Sequence, residues 1–324
     1  MEEMKAQITR KLLDFSLEMA RTTDANTVLV YAEVFESEED IHGFLDRAED
    51  TKIVLVAREH DPELRGMPTD VVKVPDIKLT RVGQIKVAIL LGLARGLFTE
   101  GETLVCLTGM AESHEVDGIL FMEIGEEFEL FAGSGAEEIS EDAQPQVLEE
   151  ILDVAVSLGI EGREGKPVGT TFVIGETEEI FAHAESMVLN PFKGYEKSER
   201  SILDSEVQQT VKEFSPIDGA FVISNDGTVE AAGVYLHTQD RTVEIPRGLG
   251  TRHRSAAAIT ALADCVAVTV SETTGNVTIF RGGQVIMEIE KPRPIGPETL
   301  PKREFFGEEE TGVDYEAHHE NGQD

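Results

Sequence analysis

The chain has 324 residues, 40% hydrophobic and 28% charged, a mixture that suits two globular domains and excludes a disordered protein. Asp and Glu number 63 against 28 Lys and Arg, and the formal charge of −35 repels nucleic-acid backbones and anionic membranes. No apolar run approaches the roughly 20 residues that span a bilayer, no apolar segment follows the polar N-terminus as in a secretory signal, and the two cysteines, Cys106 and Cys265, are too few for a disulfide framework or a zinc site. A reduced, cytoplasmic protein is expected.

In chain order, residues 4–21 place Ile8, Leu12, Phe15 and Met19 on one helical face. A short buried strand is expected over 27–32. A helix then opens at Ser37, a residue suited to the N-cap ahead of an acidic first turn. Strands follow at 53–57 and 70–75, a long apolar helix at 81–98 and a strand at 103–109. This alternation with short connections predicts a three-layer α/β domain with a mainly parallel sheet. The polar stretch 134–145 marks a boundary. Beyond it, a helix over 147–158 buries Leu148, Ile151, Leu152 and Ala155, and a strand follows at 170–175. The chain closes with four prolines between Pro292 and Pro301, and with eight acids and no Lys or Arg over 304–324, a composition expected to be disordered. His318 and His319 in that tail are read as a chance pair.

Positive charge gathers in one place. Gly248, Leu249 and Gly250 lead into Thr251-Arg252-His253-Arg254 and an alanine-rich helix. Amides at a helix start point outward without partners and favour anions. Two arginines there oppose the helix dipole, so their placement calls for an anion, and guanidinium groups suit phosphate oxygens. The other reading pairs them with surface carboxylates. Upstream, Asp218-Gly219-Ala220 enters an apolar strand; Asp218 either caps the strand entrance or meets a ligand that the small residues admit. Asn225-Asp226-Gly227 is a hairpin turn, and Asp226 is given no function. Downstream, Ser271-Glu272-Thr273-Thr274-Gly275 follows a strand and precedes a final hairpin.

These three segments, in this order and spacing, resemble the diadenylate cyclase domain found at the N-terminus of the DNA-integrity scanning protein DisA and in membrane-anchored bacterial cyclases. The resemblance spans about residues 146–290. Combined with a front stretch that resembles the C-terminal domain of pyruvate kinase, it most resembles the archaeal soluble branch, and it departs from other members in having no N-terminal membrane helices and no helix-hairpin-helix module. Some members carry a histidine before Asp-Gly-Ala, where this chain has Ile217. The resemblance implies a mixed-sheet α/β domain that condenses two ATP into cyclic di-AMP and two pyrophosphates across a face-to-face homodimer, with Mg²⁺ or Mn²⁺. It implies that Asp218 activates the 3′-hydroxyl or holds the metal. Thr251, Arg252, His253, Arg254 and the amides after Gly250 would grip the triphosphate. Ser271 would meet terminal phosphates, Glu272 would be a further metal ligand, and Gly219 and Ala220 would let ribose and base approach. Leu249 is either an adenine wall or a core leucine. The alternative function is a catalytically silent adenine-nucleotide sensor.

The front stretch resembles the C-terminal domain of pyruvate kinase, through Gly83-Gln84-Ile85 onward to Leu97, then Glu100-Gly101-Glu102-Thr103 and the strand ending Thr108-Gly109. That implies a regulatory or assembly role without kinase chemistry. The expected organisation is 1–140 for this domain, 146–290 for the cyclase domain and 291–324 for the tail, with 1–135 and 291–324 dispensable for the reaction.

Overall fold

The first sheet is built from β1 (Thr27–Tyr31), β2 (Lys52–Arg58), β3 (Asp70–Val74), β4 (Thr103–Thr108) and β5 (Gly118–Glu123), in the order β3-β2-β1-β4-β5. The first four strands run parallel, and β5 returns antiparallel to β4. Helices α1 (Glu2–Thr22) and α2 (Glu38–Ala48) cover one face, and α3 (Arg81–Ala94) covers the other. The structure is a computed structural model and describes residues 2–23, 25–58, 64, 66–75, 79–109, 114–125, 139–237 and 250–292. Leu249 and the tail with His318 and His319 lie outside the described residues.

Local chemistry explains these elements. Ser37 accepts a hydrogen bond from the Asp40 amide at 3.2 Å, which satisfies one orphan donor of α2. In α1 the buried stripe is Leu13, Leu17 and Ala20 with Thr9 and Ser16, whereas Ile8 and Phe15 are exposed. The buried face is therefore rotated from the expected one. Small residues at 16 and 20 let the helix lie closer to the sheet than a stripe through Phe15 would allow. Helix α3 stops at Ala94, short of residue 98. Gly96 takes a φ of +67°, and the Leu97 amide folds back to the Gly92 carbonyl at 2.8 Å.

The second half runs α4 (Ile139–Asp142), α5 (Pro145–Glu161), β6 (Thr170–Gly175), α6 (Thr177–Ala182), β7 (Ala184–Ser186), α7 (Ser205–Phe214), β8 (Ala220–Ser224), β9 (Val229–Leu236), α8 (Thr251–Thr260), β10 (Cys265–Val270), β11 (Val277–Arg281) and β12 (Gln284–Ile289). Its strands form one mixed sheet, β12-β11-β10-β6-β8-β9-β7, in which β6 and β8 pair in parallel. The expected hairpin at Asn225-Asp226-Gly227 joins β8 to β9. Asp226 accepts from Ser224 and from the Thr228 hydroxyl and amide, and these bonds, the Ser224 one foremost, hold its carboxyl below the usual range.

The two sheets share a core. One apolar cluster runs from Leu29 and Val54 through Ile85 and Ile89 of α3 and Leu148 and Ile151 of α5 to Phe172, Val268, Ile279 and Ile289. Residues 1–292 accordingly form one compact unit. Arg95, capping α3, pairs with Glu149 on α5. On the far face of the second sheet, Ala256, Ala257 and Ile259 of α8 pack on Val173, Val222, Ala267 and Phe280. Both cysteines are buried and unbridged, and burial pushes the Cys265 thiol up, which suppresses the reactive thiolate. Among the described residues no helix is long and apolar enough to cross a membrane.

Candidate active site

Topology assembles the site at one end of the central strands of the second sheet. Thr171 of β6 pairs with Ala220 of β8, and Val270 of β10 pairs with Thr170 of β6. The starts of β6 and β8 and the end of antiparallel β10 therefore meet. Asp218, Gly169 and the turn 271–275 are brought together although 106 positions separate the first and last (169 to 275). Helix α8 begins over the same strand ends.

Arg252 stands at the centre. Its Nη2 lies 3.5 Å from Asp218 Oδ1, and its Nη1 lies 3.1 Å from Glu272 Oε2. Gly169 makes room for this. A β-carbon there would fall 2.8 Å from Glu272 Cβ and 2.9 Å from Arg252 Nη1. The arginine is half-buried and the Asp218 side chain is 86% exposed, so the carboxylate can turn toward a ligand.

Two cavities adjoin across Thr251 and Arg252, which line both. One, of about 280 Å³, is walled by Gly250, His253, Ser271, Glu272, Thr274, Asn276 and Glu288. The other, of about 270 Å³, is walled by Thr171, Met187, Asp218, Ala220, Val234, Tyr235 and Leu236. The first is rich in amides and hydroxyls, and the start of α8 opens onto it. Gly250 caps that helix without a side chain, so its first-turn amides take no side-chain cap. The second sets the apolar side chains of Met187, Ala220, Val234 and Leu236 beside the polar ones of Thr171, Asp218, Tyr235 and Ser255.

The expected site residues fall into distinct places. Asp218, Gly219, Ala220, Gly250, Thr251, Arg252, His253, Ser271 and Glu272 line one or both cavities. Arg254 is exposed and lines neither. His253 is 6% exposed, packed edge-on against Phe280 with ring centroids 6.1 Å apart. Burial pushes its pKa down against the pull of the Glu288 carboxylate, and Arg252 pushes it further down, so the ring meets the cavity as a neutral imidazole. The Ser271 hydroxyl accepts from the Thr274 amide at 3.2 Å and shapes the turn.

The glycines separate into two kinds. Gly219 has a φ of +103°, and a β-carbon there would stand 2.7 Å from the backbone of Gly233 and Val234. It is small for the sake of β9. Gly250 has an ordinary φ of −78°, with nothing within 4 Å of its would-be β-carbon. Gly219→Ala is therefore expected to lower the melting temperature by several degrees, whereas Gly250→Ala should melt like the wild type yet crowd the polar cavity. Thermal denaturation of both variants checks this; equal stability losses would contradict it.

Sequence reasoning missed Gly169, Thr171, Met187, Tyr235, Asn276 and Glu288, all of which line a cavity or make room beside it. A glycine immediately ahead of a β-rich run was the one local signal, at Gly169. Among the described residues no group of three or more His, Cys, Asp or Glu could hold a metal ion. Asp218 and Glu272 do present hard oxygens on either side of Arg252, which fits Mg²⁺ or Mn²⁺ held by one or two carboxylates with phosphate oxygens.

Residues 157–285 match the family described as DisA bacterial checkpoint controller nucleotide-binding, and residues 9–131 match the one described as Probable sensor domain DacZ_P. The diadenylate cyclase of Methanocaldococcus jannaschii is 29% identical over 301 residues, covering 87% of this chain and 96% of its own length. That of Haloferax volcanii is 34% identical over 203 residues, 61% of this chain and 71% of its own. A solved structure of DacA from Staphylococcus aureus aligns with a TM-score of 0.33 at 23% identity, over 45% of this chain and 87% of that one.

Proposed function

Because the chain belongs to the diadenylate cyclase family, a family of nucleotidyltransferases, we propose that it condenses two ATP into cyclic di-AMP and two pyrophosphates. The observation that carries this is the pair of adjoining cavities divided by Arg252. The cavity at the start of α8 suits a triphosphate, and the one beside Met187 and Tyr235, with apolar walls and a few polar side chains, suits a nucleoside. Tyr235 and Met187 supply flat and adaptable apolar surface for the base.

In this reading each 3′-hydroxyl oxygen bonds to the α-phosphorus of the other nucleotide. The bond from that phosphorus to the bridging oxygen breaks, and pyrophosphate leaves with the electron pair. Asp218, at the mouth of the nucleoside cavity, takes the hydroxyl proton and passes it to water. Arg252 swings from its carboxylate partners to the phosphates, joined by the α8 amides, Thr251 and Ser271. Neutral His253 donates a hydrogen bond without adding charge. Asp218, with Glu272 and the phosphate oxygens, would hold Mg²⁺ or Mn²⁺; when bound, the ion neutralises phosphate charge and lowers the pKa of the hydroxyl.

The product has a two-fold axis, and one chain carries one Asp218 and one pair of cavities, so two copies facing each other complete the reaction. Exposed apolar residues support this. Met187 and Tyr235 rim the nucleoside cavity, and the neighbouring Leu189 is 97% exposed. In the same reading residues 1–140 regulate and 146–290 carry the chemistry, in the cytoplasm. Incubating the protein with ATP and Mg²⁺ or Mn²⁺ should yield cyclic di-AMP by mass analysis, and EDTA should stop it. ATP left intact across several metals, yet bound, would favour a silent nucleotide sensor; conversion to ADP would remove the cyclase reading.

A further inference from the structure

Lys86 sits in an unusual place. It lies on α3 among residues 83–94, all buried, and is itself 8% exposed. Methionine or leucine would suit such surroundings, since burying an amine costs free energy unless it finds a partner. Its Nζ donates to the Glu288 carbonyl at 3.0 Å. That carbonyl belongs to β12, the edge strand of the second sheet, where alternate carbonyls lack a ladder partner. The front half thus reaches across the shared core to satisfy a sheet edge in the other half.

Glu288 also belongs to the site. Its side chain lines the polar cavity, and its Oε1 accepts from Asn276 Nδ2 at 2.8 Å. Asn276 in turn holds the turn. Its carbonyl accepts from the Ser271 amide at 2.9 Å, its amide donates to Thr274 Oγ1 at 3.2 Å, and its Oδ1 accepts from the Lys291 amide at 3.1 Å. That same turn carries Glu272, which holds Arg252. A continuous polar route therefore runs from α3 through β12 and Asn276 to the arginine between the cavities.

We propose that Lys86 is a positioning residue for the polar cavity, and the point through which the front half sets the affinity of that cavity for the ATP triphosphate. A shift of α3 away from β12 breaks the bond to Glu288. The end of β12 then loosens, and the turn 271–275 loses the register in which Glu272 meets Arg252. This rests on the reading that the polar cavity receives the triphosphate.

The test uses the full chain, with Lys86→Met and Lys86→Arg. Four quantities are measured: the affinity for a non-hydrolysable ATP analogue by calorimetry, the KM and the kcat of cyclic di-AMP formation, and the melting temperature. Lys86→Met should weaken analogue binding and raise KM by roughly 2- to 30-fold, the range of couplings carried by such networks, with kcat changed less. Lys86→Arg should restore most of the loss, because it keeps a donor. A purely structural role would move the melting temperature alone, and unchanged affinity and KM in folded Lys86→Met would overturn the proposal. Should that variant not fold, Lys86→Gln, whose shorter amide falls short of the carbonyl, decides by the same comparison. Wild-type protein that binds the analogue but makes no cyclic di-AMP would sink the functional reading, while the affinity comparison would still judge Lys86.

Discussion

Asp218→Asn is expected to slow cyclic di-AMP formation by about 10²–10⁴-fold, the usual contribution of a positioned general base. Affinity for ATP, measured without divalent metal, should stay the same or rise. The substitution preserves shape and removes a negative charge beside the phosphates. Asp218 lies in the wall of the cavity proposed for the nucleoside, and its carboxylate contacts Arg252 at 3.5 Å. Releasing the arginine from that contact leaves it more available to a phosphate. Product rate against ATP, combined with calorimetry on a non-hydrolysable analogue, separates the two effects. A rate near that of the wild type would place the base elsewhere; weakened binding with intact turnover would reverse the assigned roles.

Arg252→Ala should weaken ATP binding by roughly 10- to 150-fold, since a hydrogen bond to a charged group is worth about 1.5–3 kcal/mol. The loss has a second source. Without the guanidinium, the Asp218 and Glu272 carboxylates lose the side chain that pairs with both of them. Arg254→Ala should cost less, because Arg254 lines neither cavity. Calorimetry on the two variants settles the order. A larger loss from Arg254 would move the phosphate site to the exposed side of α8, or to a facing copy of the chain.

The motif segments stood out in the sequence because their chemistry is odd for their place. Arginines at a helix start, in a chain of net charge −35, ask for an anion on charge alone. The parallel front sheet was legible from strand–helix alternation, and the Ser37 cap and the 225–227 hairpin from local turn chemistry. What stayed hidden depends on distance. Gly169, Asn276 and Glu288 are common residue types that acquire meaning only when β6, β10 and β12 lie side by side. The face of α1 was misread because two apolar stripes overlap at helical period, and close packing against the sheet chose the one with small residues. Gly219 was legible as a special glycine but not for its reason, which is the backbone of β9 pressed against it.

The core shared by the two halves carries a consequence for how the molecule is made. The front sheet and α3 have left the ribosome once residue 125 or so is free. The flank of α3 that will meet α5 and β12 has no cover until those elements follow. At about 5–20 residues per second the 164 residues from 125 to 289 take roughly 8–33 s to arrive. For that interval the nascent chain presents a bare apolar helix flank, on which chaperones would act and through which neighbouring chains would stick. A fragment ending near 135 would keep that flank bare permanently. A fragment spanning 140–292 would bare the matching side of α5 and β12, which argues against the expectation that the second half works unaided. The order of synthesis brings out the front half first, and the second half arrives as the cover its predecessor has been waiting for.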